Sequence, residues 1–308
     1  MAVDYWNGDG DTAWNTNGNW ESDTAPVAND KIVLPAINVT NAPTTGLSSL
    51  NTISLSGFTV EDGFTKDIGD SAIPTGGFLE LELDGSNPTR FIYRGSSTIA
   101  KIKIVDADIP MEIFKTGIGN TGSPALQVIT ALVNGSSTNI GEFHIHNGEV
   151  SLGPEEQACQ TPGIYIGTAG GNARPLVWLG PNVTGENAAV LPLVEQHNGI
   201  CYSEAVMVTL NLHRGEFHWM GGTITTLNMY GGTFVPLSAS ASTLTTVNMY
   251  GGTFDHTREV STQNVGTVNM FGGTLKDPAQ LLGNPGIVLK TPYTNWTLDM
   301  GLATLALS

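Results

Sequence analysis

The strongest pattern in this chain is an alternation of apolar and polar residues that recurs in its C-terminal third. One phrase occurs three times at nearly constant intervals, and a shorter copy precedes it. Alternation with a period of two is typical of a β-strand rather than a helix. The three copies are Thr226–Phe234, Thr246–Phe254 and Thr267–Leu275, and the shorter copy is Trp219–Ile224.

A strand that repeats at a fixed period of about 20 residues predicts a solenoid. We predict an all-β fold, a right-handed parallel β-helix with an N-terminal cap. The handedness follows from the general preference for right-handed parallel crossovers. The Gly-Gly pair that ends each phrase is expected to form a tight corner. The residues expected to point inward are Leu227, Val247, Val268, Met229, Met249 and Met270 and, past the corner, Phe234, Phe254 and Leu275.

Three units are predicted along the chain. Residues 1–35 form the N-terminal cap, and residues 281–308 form a C-terminal capping tail. Residues 36–280 form the β-helix, with divergent rungs to about residue 205 and clean repeats over 206–280. Within the divergent part, 153–205 is rich in Pro and Gly and is expected to hold a long loop.

Composition narrows the functional classes. The chain has 308 residues, of which 13% are charged, and a net charge of −16 with only 12 Lys and Arg. Binding of nucleic acid requires a basic surface, and an anionic membrane would repel this charge, so neither partner is expected. The first residues lack a secretory leader, so either a leader was removed or the protein reaches its destination by assembly. Cys159 and Cys201 are expected to be unpaired and semi-buried.

The N-terminal cap has a distinctive order of aromatic and turn residues. It reads Trp6-x-Gly8, Trp14, Asn19-Trp20, Pro26 and Asp30-x-Ile32-Val33-Leu34. This resembles the tryptophan-rich segment that precedes β-helices in autotransporter-like repeat proteins. The resemblance covers the cap alone and implies no activity. Bulky indoles at this place would cover the apolar interior and free strand edge of the first rung.

No catalytic residues are predicted. Glycoside hydrolysis needs two carboxylates a few ångströms apart. The clean repeats offer none, because Asp255 and Glu259 lie past the corner. Glu80 and Glu82 share one face of a strand and Asp84 follows, a pattern that favours a solvated edge.

No metal site and no cofactor are predicted either. His144 and His146 point the same way on one strand, which could hold a metal with a third ligand. No partner at metal-ligand spacing is evident, so polar exposure is favoured. The segment Asn7-Gly-Asp9-Gly-Asp11 is similar to a calcium loop but lacks its closing Glu, which favours a turn.

The outward positions of the repeats predict an interface. Stacked at ~4.8 Å, they become ladders of like residues. Stripes of exposed aromatic residues often mark subunit contacts. The alternative is that 153–205 or the tail from Leu281 covers the stripe. The predicted interface residues are Tyr230, Tyr250, Phe271, Asn228, Asn248 and Asn269.

These features favour a non-enzymatic structural protein of a virus particle. The architecture resembles the β-helical decoration, fibre or tailspike proteins of tailed phages, and the expected location is the virion. The resemblance implies a homo-oligomer, a trimer, in contact with a major capsid protein or a tail protein. Two alternatives stay open: a tailspike-like polysaccharide hydrolase or lyase, and a bacterial surface adhesin.

Overall fold

Among the described residues, regular secondary structure is almost entirely β-strand, apart from a short 3₁₀ helix at Asn17–Asn19. The computed structural model describes residues 2–50, 53–70, 72–73, 76–83, 90–106, 109–116, 126–130, 140–154, 157–167, 174–186, 189–237, 242–258, 261–280, 282, 286–290 and 295–300. Among these residues, no helical segment has the length and apolar character that a membrane crossing requires.

Within the described residues, the first sheet contains 13 strands, and neighbouring strands in it are parallel. In their order across the sheet these strands are β1 (Val3–Tyr5), β2 (Lys31–Leu34), β3 (Gly57–Val60), β5 (Phe91–Tyr93), β7 (Met111–Phe114), β9 (Phe143–Asn147), β12 (Ile164–Ile166), β15 (Leu191–Gln196), β17 (Met207–Leu212), β19 (Thr223–Met229), β21 (Thr243–Met249), β23 (Asn264–Met270) and β25 (Gly286–Leu289).

The second sheet contains 11 strands in the part of the chain that the structure describes, and its neighbouring strands are also parallel. Two further strands form a separate two-stranded sheet. The 11 strands are β4 (Leu79–Glu82), β6 (Ala100–Asp106), β8 (Leu126–Thr130), β10 (Glu149–Leu152), β13 (Leu176–Leu179), β16 (Ile200–Ser203), β18 (Glu216–Trp219), β20 (Thr233–Pro236), β22 (Thr253–Asp255), β24 (Gly273–Lys276) and β26 (Trp296–Asp299), and the pair is β11 (Cys159–Gln160) with β14 (Val183–Thr184).

The chain alternates between the two sheets, so that from β15 onward every strand of one is followed by a strand of the other. Each turn of the chain therefore adds one strand to both sheets, and their inner faces enclose a continuous apolar core. This architecture confirms the predicted all-β parallel β-helix. Its right-handed winding stays a prediction.

The clean repeats stack in register, as predicted. Met229 pairs with Met249, and Met249 pairs with Met270, on neighbouring strands of the first sheet. All three side chains are fully buried, as are the Leu and Val residues two positions earlier. Thr225 and Thr226 interrupt the alternation because neither is buried, and Thr245 and Thr246 repeat this pattern one rung later.

The Gly-Gly corners need glycine at both positions for different reasons. Gly252 has a φ of +79°, in the left-handed region that other residues rarely adopt. Gly251 has no positive φ, but a Cβ there would lie 2.7 Å from the backbone oxygen of Tyr230 in the preceding rung. The corner is therefore fixed by conformation at one residue and by close packing at the other.

The three tryptophans of the N-terminal segment form one buried cluster. The ring centroids of Trp6, Trp14 and Trp20 lie 5.0–5.6 Å apart, and all three side chains are fully buried. The Trp14 ring lies 6.4 Å from that of Phe58, which belongs to β3. The same segment contributes β1, the edge strand of the first sheet. Covering of the open end by this segment stays a prediction.

The segment 153–205 is built mainly of rungs rather than of the expected long loop. Its described residues form the pair β11–β14 and four further strands that continue the two sheets. Cys159 and Cys201 are free and buried, and burial raises the pKa of both thiols. After residue 280, β25 and β26 each add a parallel strand to a sheet. Residues 301–308 of the predicted tail lie outside the described residues.

The buried methionine column gives a first test. Met249→Asp should lower the free energy of unfolding by about 3–5 kcal/mol, because the new charge would be buried without a partner. Met249→Leu should cost less than about 1.5 kcal/mol, because it nearly conserves volume. Urea denaturation followed by circular dichroism measures both. Equal, small effects would contradict a buried position.

The tryptophan cluster gives a second test. Removing residues 1–35 should produce soluble aggregates or insoluble protein, because it exposes Phe58 and leaves the edge of β3 unpaired. Size-exclusion chromatography of the shortened and intact chains compares them. A shortened chain that stays monodisperse, with an unchanged melting temperature, would refute the cap.

Candidate functional site

The outer face of the first sheet carries an uninterrupted ladder of asparagine amides. Asn228 donates from Nδ2 to Oδ1 of Asn211 at 2.9 Å, and Asn248 and Asn269 each donate to the preceding asparagine at the same distance. Each amide therefore satisfies its neighbour along the stack. We call these four residues the Asn ladder.

Beside the Asn ladder runs a column of five stacked rings: His197, His213, Tyr230, Tyr250 and Phe271. Successive ring centroids lie 4.5, 4.8, 5.2 and 4.7 Å apart, with interplanar angles of 5–13°. We call it the ring column. It contains the three aromatic residues predicted from the repeats and two histidines that the sequence did not indicate.

The ring column presents its edges to solvent. Tyr230 is 49% exposed and Tyr250 is 47% exposed, whereas Phe271 is less exposed than either tyrosine. The faces of these two tyrosine rings are covered by the rings above and below, so their edges and hydroxyl groups are the accessible parts. Neither 153–205 nor the tail, as far as each is described, buries the two tyrosines.

On earlier rungs the same outer face carries a Glu–His cluster, which we call the first cluster. Glu112 lies on β7, and His144 and His146 lie on the adjacent strand β9. Oε1 of Glu112 is 3.4 Å from Nδ1 of His144, and Oε2 of Glu112 is 2.5 Å from Nε2 of His146. Donor atoms of the three residues all lie within 4.8 Å of one another, which is close enough to bind one metal ion.

Two outer groups hold the first cluster in place. Oε2 of Glu142 is 3.2 Å from Nε2 of His144, and the Tyr165 hydroxyl donates to Oε1 of Glu142 at 3.3 Å. The ring of His146 stacks on Phe114, with centroids 4.2 Å apart. Both histidine rings are therefore oriented by neighbouring side chains.

A second cluster joins Glu195 to the first two rings of the ring column. Oε1 of Glu195 is 3.3 Å from Nε2 of His197 and 3.2 Å from Nε2 of His213. The two imidazoles lie 5° from parallel. The second cluster thus lies at one end of the ring column, where a single carboxylate oxygen contacts both stacked imidazoles.

The sequence showed the two histidines of the first cluster but missed their partner Glu112. Glu112 is remote from His144 along the chain, and only the pairing of β7 with β9 makes them neighbours. The available signal was the similarity of Met111-Glu112-Ile113-Phe114 to Phe143-His144-Ile145-His146, which have the same apolar alternation.

The carboxylates considered for catalysis are engaged by their own neighbours. Glu80 forms an ion pair with Lys103 at 2.9 Å, and Glu82 accepts a hydrogen bond from Ser54 at 2.6 Å. Glu80 and Lys103 line an open groove of about 570 Å³ together with Asp70. Asp255 accepts a hydrogen bond from the Thr257 hydroxyl at 2.6 Å. Asp84 and Glu259 lie outside the described residues.

The acidic segment near the N-terminus is held by hydrogen bonds within the chain. Asp11 accepts hydrogen bonds from the Ala13 backbone at 2.7 Å and from the Asn19 amide at 2.6 Å, and these donors lower the pKa of its carboxyl group. Asp9 accepts one from the Thr40 hydroxyl at 2.7 Å. These carboxylate oxygens therefore accept hydrogen bonds from donors of the chain itself.

The ring column, the Asn ladder and the two Glu–His clusters make the outer face of the first sheet the candidate functional site. Comparison with models of known families, with curated proteins and with solved structures yields no match to this chain.

Proposed function

We propose that this protein is a non-enzymatic structural subunit of a virus particle, and that it assembles as a homotrimer through the ring column. The observation that carries this proposal is the continuous stack of rings whose tyrosine edges are half exposed. Tyrosine buries a large area at a small cost in side-chain entropy and is enriched at protein interfaces.

The geometry of the rings favours a protein partner over a sugar or a nucleobase. Binding of a nucleobase by stacking needs a free aromatic face, and the apolar face of a sugar would need one as well. Here the faces of Tyr230 and Tyr250 lie against neighbouring rings about 5 Å away. Ring edges, hydroxyl groups and amides remain, and these suit contacts with backbone and side chains. This supports a structural subunit over an adhesin that binds glycans.

The regular spacing of the column favours a second copy of the same chain as partner. Its centroids repeat every 4.7–5.2 Å, the spacing of adjacent rungs. A copy with its axis parallel to the first has the same spacing, so one contact can recur at successive rungs. Closed symmetry of identical subunits is the usual way to bury such a patch.

Charge distribution also favours self-association of the clean repeats. The chain carries a net charge of −16, which opposes the approach of identical copies. Only five of its 28 acidic residues lie in 205–308, however. The Asn ladder and the outward threonines beside the ring column are neutral, so copies can meet there with little repulsion.

The virion setting is supported by architecture and composition. The described backbone is hydrogen-bonded rung to rung, and the surface has few of the lysines and arginines at which many proteases cut. Such a subunit can assemble inside a cell and endure outside it, in contact with a major capsid protein or a tail protein. The pairing of Glu80 with Lys103 favours a structural role over a polysaccharide hydrolase or lyase.

The oligomer gives a third test. Light scattering should find the intact chain at three times its monomer mass, and Tyr230→Ala with Tyr250→Ala should yield monomers, because the interface loses its two most exposed rings. The matched control is Thr225→Ala with Thr245→Ala, which changes exposed residues of the same two strands and should leave the trimer intact. A monomeric intact chain, with unchanged stability in the tyrosine variant, would refute this interface.

The particle assignment gives a fourth test. Mass spectrometry of purified virus particles from the source should detect the chain in a fixed ratio to the major capsid protein. Absence from the particles, or turnover of acidic polysaccharides by the purified chain, would contradict the proposal and favour the enzyme.

A further inference from the structure

We propose that the first cluster, Glu112, His144 and His146, is a binding site for a divalent transition metal ion of the zinc type. This inference does not depend on the proposed function, because it concerns earlier rungs than the tyrosines of the ring column. Two imidazoles and a carboxylate are the ligands that zinc accepts, whereas calcium and magnesium prefer oxygen ligands alone.

The ligand atoms of the three residues are close enough to share an ion, since all lie within 4.8 Å of one another. Zinc binds imidazole nitrogen and carboxylate oxygen at about 2.0–2.2 Å, so neighbouring ligands of a tetrahedral site lie roughly 3.3–3.5 Å apart. Oε1 of Glu112 and Nδ1 of His144 are 3.4 Å apart. Oε2 of Glu112 and Nε2 of His146 lie at hydrogen-bond distance, 2.5 Å. An ion bound to all three residues would replace the hydrogen bond between Glu112 and His146, and these two ligand atoms would have to move apart to the spacing of neighbouring ligands.

The orientation of the rings separates the first cluster from the second. A metal ion lies in the plane of each imidazole that binds it, because the nitrogen lone pair lies in that plane. The rings of His144 and His146 are inclined at 64°, so their planes intersect and lone pairs can converge. The rings of His197 and His213 are stacked at 5°, and one of them would have to leave the ring column to share an ion.

The surroundings of His144 are those of a metal ligand. Metal-binding histidines commonly donate their second ring N–H to a carboxylate, which fixes the tautomer and orients the ring. Glu142 is placed to accept from Nε2 of His144, which leaves the Nδ1 lone pair directed toward Glu112. Tyr165 in turn donates to Glu142.

The site would keep one coordination position open. Three protein ligands leave a tetrahedral ion with a fourth position, which water or a group of a partner can fill. The side chains of Glu112, His144 and His146 are 33%, 26% and 11% exposed, so an ion can enter from solvent. Once bound, it would join β7 to β9 across adjacent rungs.

Titration with Co²⁺ of the untagged, chelator-treated chain tests this proposal. We expect one equivalent to produce the visible absorption bands of four-coordinate cobalt, and one equivalent of Zn²⁺ to abolish them. His146→Phe should eliminate the bands while preserving the stack on Phe114. Glu142→Gln, which removes the outer carboxylate, should weaken affinity about 10–100-fold.

The matched control is His213→Phe, which keeps a ring in the ring column but removes a ligand from the second cluster, and its titration should equal that of the intact chain. If His146→Phe fails to fold by circular dichroism, Glu112→Gln replaces it with the same expected loss. The proposal is overturned if the intact chain gives no cobalt bands, if His146→Phe or its replacement Glu112→Gln retains them, or if His213→Phe eliminates them.

Discussion

Parallel pairing of each strand with its equivalent one rung away is the constraint on which the rest of this structure depends. The pairing holds Met229, Met249 and Met270 at one register position. A residue type that recurs in the repeats therefore forms a column along the stack. Inside, the repetition yields a buried apolar column. At the corner it forces glycine at two successive positions, because the backbone of the preceding rung occupies the space of a Cβ at the first and the second has a positive φ.

The same register arranges the outward side chains of the first sheet in columns. Residues paired in register with one another become neighbours at ~4.8 Å whatever their separation along the chain. In the clean repeats the columns are amides and aromatic rings, which satisfy or cover each other and leave neutral edges. In earlier rungs the equivalent positions carry Glu112, His144 and Glu195, so that this part of the face is rich in carboxylate and imidazole groups.

One sheet face thus has two chemically different halves. The half with the clean repeats is poor in charge, as the proposed contact with an identical copy requires, whereas the earlier half concentrates carboxylates and imidazoles. A stack of identical rungs would not produce this division. It arises because the backbone ladder carries the stability, which leaves outward residues free to differ between rungs at little cost in folding free energy.

The sequence by itself determined the fold class, the register of the clean repeats and the outward aromatic stripe. It could do so because Thr226–Phe234 and its copies are separated by nearly constant intervals. Aligning the copies therefore shows which residues occupy equivalent positions in successive rungs. Only the tertiary structure decided what the divergent rungs bring together. There His144 pairs with Glu112 on the preceding rung and with Tyr165 on the following one, and the connection to Glu112 is much the longer of the two. With unequal connections the alternation still predicts strands, but it does not say which strands are neighbours, and side-chain chemistry across rungs depends on that pairing.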